Sequence, residues 1–185
     1  TTLGGSVATP QEGLEADIVV FPTLTDLEAA EPGSLAGKIA FVSHAMQKTQ
    51  NGSSYGFHGR LRRSGASIAA SKGAIAILTR SLGTSPHRMP HTGSMRYDPA
   101  INKIPAAALS NPDADQIERI HARGETMRVN LNLQPRSLGE VESGNVIADI
   151  RGTESPDEVV IIGGHLDSWD LGTGAIDDGA GVAIA

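Results

Sequence analysis

The chain has no cysteine among its 185 residues, which excludes disulfide staples and thiolate metal sites together, so any zinc must be held by histidine and carboxylate. Aromatic residues are scarce, with one Trp, two Tyr and three Phe. No basic strip interleaved with aromatics occurs, and nucleic acid is therefore not an expected partner. No apolar run approaches the roughly 20 residues that a membrane span requires. Nor does a basic start followed by an apolar stretch open the chain, so no secretory leader is expected within it. Repeats at solenoid spacing and low-complexity tracts are absent too. What is present is the composition of a globular protein, 39% hydrophobic and 19% charged with a net charge of −6. The length suits one ordinary domain, or one domain and part of a second.

The texture is mixed α and β. Asp17 to Phe21 (DIVVF) and Lys38 to Val42 (KIAFV) are short β-branched runs that read as strands, and Ala74 to Thr79 (AIAILT) reads as a buried one. Gly59 to Lys72 is Ala-rich and followed by Gly73, which predicts a helix stopped by that glycine. A second helix is expected over Pro112 to Arg123, with Asn111 as cap, acidic Asp113 and Asp115 in the first turn and Gly124 after the last. Met127, Val129, Leu131 and Leu133 then alternate with polar residues, the period-two pattern of a strand with one wet face. A composition break at Gln134 to Ser143 follows, and Asn145 to Ile150 and Glu158 to Ile162 are expected as two further strands.

From Asp149 onward eight acidic residues face a single base, Arg151, so negative charge concentrates around His165. That residue and Asp167 follow the apolar run EVVII, and ligands gather at the carboxyl ends of strands in α/β sheets. Residues two apart on a strand share a face, which places Asp167 to accept one ring N–H of His165 while the other nitrogen meets a metal. Twelve residues after His165, beyond a loop containing Gly172 and Gly174, Asp177 and Asp178 arrive just ahead of Gly179 and Gly181. A returning carboxylate suits zinc beside an imidazole.

The run GHLDSWDLGTGAIDDGAG resembles, nearly residue for residue, the metal-binding segment of the carboxypeptidase Q (plasma glutamate carboxypeptidase) family of two-zinc exopeptidases. The likeness extends upstream through LGGSVATP, GKIAFV, GASIAASKGAIAILTRS, PHTG and KIPAAALS. It implies a linker from the peptidase domain at 1–12, a β-rich protease-associated domain with flanking helices at 13–135, and the opening strands of a zinc-peptidase α/β/α sandwich at 136–185. It also implies His165 as ligand of one zinc, Asp177 as the carboxylate bridging two, and Asp167 as the residue orienting His165. Asp178 and Trp169 are expected to support the loop, with lining of the cleft as the alternative for Trp169, and a cis peptide is expected after Asp177. The family's Glu general base, its neighbouring Glu ligand, a further carboxylate and a second His do not occur after Asp177 here. The 185-residue chain by itself is therefore expected to bind zinc weakly and to hydrolyse nothing. The resemblance further implies a short peptide or dipeptide substrate, a secreted or periplasmic location and a homodimer.

Other readings carry less. ASIAASKGAIAILTRSLG resembles the active-site helix of short-chain dehydrogenases, but the position four before Lys72 is Ile68 rather than a tyrosine, and no glycine-rich dinucleotide turn follows an early strand. His44, His58, His87, His91 and His121 are scattered and read as surface or core residues; His91, in PHTG, also falls in a run that matches the family. A binding or receptor module on a degenerate peptidase body is the alternative of a different class. Retention of both His165 and Asp177 argues for the enzyme.

Overall fold

Ile39–Val42 carries no polar residue and all four positions are buried, as a strand covered on both faces demands. In the computed structural model, which describes residues 1–185, this strand, β2, lies near the middle of a five-stranded sheet. The other strands are β1 (Leu14–Phe21), β3 (Ala76–Arg80), β4 (Ala106–Leu109) and β5 (Arg128–Leu131). Their order is β4-β3-β2-β1-β5, with β5 antiparallel to β1 and the remaining pairs parallel. The mixed α/β class thus holds.

Alternation along the strands sorts the core into two layers. Ala40, Val42, Ile77, Ala106 and Ala108 pack with Leu24 and Leu27 of helix α1 (Leu24–Ala29) and with Leu61, Ala66 and Ala69 of helix α2 (Ser53–Ser71). Ile39, Phe41, Ala76, Leu78 and Ala107 face the other way, onto Ala114 and Ile117 of helix α3 (Asn111–Ala122). Gly65 on α2 lies close against the sheet, since a Cβ there would stand 3.1 Å from the Ile77 side chain.

Several element bounds depart from the sequence reading. Helix α2 begins at Ser53, six residues before Gly59. The cap of α3 is Ser110, whose buried hydroxyl accepts the Asp113 N–H, and Asn111 is the first helical residue. Helix α1, unforeseen, is started by a capping box in which Thr23 and Asp26 each accept the other's backbone N–H. Strand β4, also unforeseen, is the run AAAL.

The chain divides into two compact units, Thr1–Leu138 and Gly139–Ala185, and the sheet belongs to the first. In the second, the expected strands Asn145 to Ile150 and Glu158 to Ile162 are not formed, and their apolar side chains are exposed, with Val146 and Val160 about 90% accessible. A strand exists by its ladder, and neither segment pairs with another. The regular element of this unit is helix α4 (Gly179–Ile184). No helix of the chain is long and apolar enough to cross a membrane.

Candidate metal centre

His165 stands on the segment after VVII, and the glycine-containing loop that follows doubles back to return Asp177 to it. Gly174 turns this loop with a φ of 68°, in the left-handed region that glycine enters at least cost. Gly179 N–H then donates to the Gly174 carbonyl at 2.8 Å and closes the loop on itself. The outcome is a direct meeting of the two side chains: His165 Nε2 and Asp177 Oδ1 are 2.9 Å apart.

The other ring nitrogen is held as well. His165 Nδ1 lies 3.0 Å from the main-chain carbonyl of Asp167 and 3.0 Å from its Oδ1. Asp167 thus reaches the imidazole through backbone and carboxylate together, although 165–167 is not part of a strand ladder. Asp178 contributes from behind, its Oδ2 accepting the backbone N–H of His165 at 3.2 Å. The Asp177–Asp178 peptide is cis.

His165, Asp167 and Asp177 line an open cleft of about 480 Å³ together with Ser168, Trp169 and Asp170. Trp169 lines this cleft half-exposed, and a turn closed by Gly172 N–H on the Trp169 carbonyl at 2.8 Å fixes its backbone. Ser168 and Asp170 were not singled out from the sequence. The signal for both was their place inside the HLDSWD run between two recognised residues.

With oxygen acceptors at both ring nitrogens, the arrangement favours the protonated imidazole. The Asp177 hydrogen bond first, and then the Asp167 carbonyl, raise the His165 pKa above its ordinary value. A cation in place of that proton would meet the same two atoms, Nε2 and Oδ1. Two donors on one tetrahedral zinc stand roughly 3.3–3.5 Å apart, so 2.9 Å is short by about half an ångström, which exposed side chains absorb by a small outward swing. Donor type and direction therefore fit zinc. Donor number is short, because no set of three or more His, Asp or Glu side chains converges to hold an ion.

Known proteins resemble this chain over nearly all of its length. Residues 145–185 match the family model described as Peptidase family M28. Over 183 residues, 99% of this chain, the sequence is 37% identical to carboxypeptidase Q of Bos taurus, covering 37% of that protein. The crystal structure of a Peptidase M28 precursor from Shewanella amazonensis SB2B superposes with a TM-score of 0.94 at 53% identity, covering 100% of this chain and 42% of that one. An aminopeptidase from Aneurinibacillus sp. strain AM-1 shares the fold, with a TM-score of 0.57 at 21% identity over 96% of this chain and 39% of its own. The chain thus spans about two fifths of the length of the relatives it matches most extensively. It is a carboxypeptidase Q-like member of peptidase family M28.

Proposed function

We propose that the whole protein is a zinc exopeptidase, and that His165 and Asp177 are the first two ligands of its metal centre. The observation that carries this reading is the convergence of His165 Nε2 and Asp177 Oδ1 at 2.9 Å in the wall of an open cleft. Zinc bound there supplies a Lewis acid and a more acidic water for attack on a peptide carbonyl. The chain's own residues prepare that site. Asp167 takes the Nδ1 hydrogen of His165, which fixes the ring orientation and leaves Nε2 as the metal-facing nitrogen. Asp177 offers two carboxylate oxygens, which suits it to bridge a pair of ions, and Asp178 steadies the His165 backbone. Trp169 and Asp170 frame the space a substrate enters.

In this reading residues 13–135 form a protease-associated domain, flanked by peptidase-domain segments at 1–12 and 136–185. The substrate is a short peptide or dipeptide cleaved at its end, and the centre holds two zinc ions. The resemblance to carboxypeptidase Q further carries the expectations of secretion and of a homodimer. The test is zinc content and dipeptide hydrolysis of the full-length protein before and after chelation, in wild type and in His165→Ala. Two zinc ions per chain, activity lost on chelation and regained with zinc, and loss of both in the variant are expected. Full activity in the presence of a chelator would overturn the reading, and dipeptide turnover by the 185-residue chain alone would show that the centre needs no further ligands.

A further inference from the structure

Arg62, on α2, directs its guanidinium at a phenol, an imidazole and a backbone carbonyl. Its Nη1 donates to the Tyr55 hydroxyl at 2.9 Å and lies 3.3 Å from both His91 Nε2 and the Thr92 carbonyl. Tyr55 Oη and His91 Nε2 are themselves 2.9 Å apart, and the guanidinium stands 5.6 Å from the Tyr55 ring centroid. Its Nε is buried with no partner. Gly93 permits this placement, since a Cβ there would lie 2.5 Å from Nη1 and 2.9 Å from Nε.

No carboxylate answers this charge. Arg60, Arg80, Arg88, Arg123 and Arg128 each pair with an Asp or Glu, and Arg62 takes part in none of the ion pairs. A guanidinium partly withdrawn from water, with one N–H already unsatisfied, is costly unless a counter-charge approaches it. Nη2 makes no protein hydrogen bond and is not among the buried atoms, so that end is reachable. Beside it stand the exposed Tyr55 and the exposed His91, the former with a hydroxyl whose oxygen already accepts from Arg62. A guanidinium and a phenol on one rim are the donors with which proteins hold a carboxylate or phosphate oxygen.

We infer that Arg62 and Tyr55, backed by His91, form a binding site for a single oxyanion group, a carboxylate or a phosphate. The site lies wholly within the unit Thr1–Leu138 and does not depend on the metal centre.

The experiment is a titration of the 185-residue chain with sodium acetate and, separately, with inorganic phosphate, at constant ionic strength made up with chloride and followed by NMR at the Tyr55 and His91 rings. Saturable shifts with at least one of the two anions are expected, at a Kd on the order of millimolar, ordinary for a ligand this small. The anion that saturates identifies the source. Arg62→Gln raises that Kd at least about ten-fold, and Tyr55→Phe, which keeps the ring and removes only the hydroxyl, raises it by a smaller factor. Acetamide, which lacks the charge, produces no saturable shift. The inference is overturned if neither anion saturates, if acetamide binds as well as acetate, or if Tyr55→Phe and a folded Arg62→Gln both bind like wild type.

Discussion

Asp178 Oδ2 accepts the main-chain N–H of His165 at 3.2 Å, so the loop that returns Asp177 to the imidazole also grips that imidazole's own backbone. Asp178→Ala releases this grip, whereas Asp178→Asn keeps an oxygen acceptor. Zinc affinity of the full-length protein is expected to fall about ten-fold in the first and less in the second, the range typical of groups that orient a ligand. Gly181→Ala acts on the same contact from the other side, because a Cβ at that position would overlap the Asp178 carboxylate. Competition with a chelating dye measures all three, and equal affinities for wild type and Asp178→Ala would remove Asp178 from the centre.

Asp167 meets His165 Nδ1 through its main-chain carbonyl as well as its carboxylate. A side-chain substitution therefore removes only one of the two acceptors. Asp167→Ala is expected to weaken zinc binding by roughly ten-fold, at the low end of the usual range for such partners, while His165→Ala abolishes it. If the two variants lost metal to the same extent, the carbonyl would have no part in orienting the ring.

Arg80 is almost wholly buried at the end of β3 and binds the Ser43 carbonyl, the Asn111 carbonyl, Asp115 and Glu118. Its carboxylate partners are about half exposed, so they return to water when it is removed and add little to the loss. The Ser43 and Asn111 carbonyls lose a donor. Arg80→Met is expected to cost about 2–3 kcal/mol of stability by urea unfolding. A cost under about 0.5 kcal/mol, the range of ordinary surface changes, would mean that the network is dispensable.

Burial, followed by the neighbouring His58, pushes the His44 pKa below its ordinary value, with Asp26 opposing. The two imidazoles stack edge to face with centroids 4.3 Å apart. Because the folded value is the lower one, the unfolded chain takes up the proton first as pH falls. Stability from this group is complete above the ordinary imidazole value of about 6.5 and declines as pH drops below it, through the folded-state value. Melting temperatures from pH 7.5 to 5 should decline less steeply in His44→Gln than in wild type. Parallel profiles would assign the acid sensitivity to other groups.

Helix starts offer a further check. Ser110→Ala and Thr23→Ala each remove a cap hydroxyl that accepts a backbone N–H, and each is expected to cost about 1 kcal/mol. Ser110 is the stricter case because it is buried. Asn111→Ala leaves the cap intact and should cost less, and the reverse ranking in thermal unfolding would return the cap to Asn111.

The inner strands were legible because their residues are apolar on both faces: IAFV and AILT admit few other readings. Strand β4 was not, since alanine has little preference for strands and AAAL is extended through its pairing with β3. Helix α1 is too short to show a period, and its signal was the Thr23 to Asp26 box alone. The start of α2 was missed because Gly56 and Gly59 weaken the helix pattern that packing of Leu61 and Ala66 enforces. At the proposed metal centre the residue types and their spacing were visible, since His165, Asp167 and Asp177 carry recognisable chemistry. The share taken by the Asp167 carbonyl was invisible, because a main-chain oxygen leaves no mark on the sequence. VVII has the composition of a strand, but composition supplies no neighbour to pair with.

Thr9 N–H donates to the Leu133 carbonyl at 2.9 Å, and the Leu133 N–H donates to the Thr9 hydroxyl at 3.1 Å. Thr9, ahead of β1, and Leu133, just past the end of β5, are therefore held side by side although 124 positions separate them in the chain. Two strands tied beyond their paired residues in this way resist fraying, because β1 and β5 cannot part at that edge before both Thr9–Leu133 bonds break.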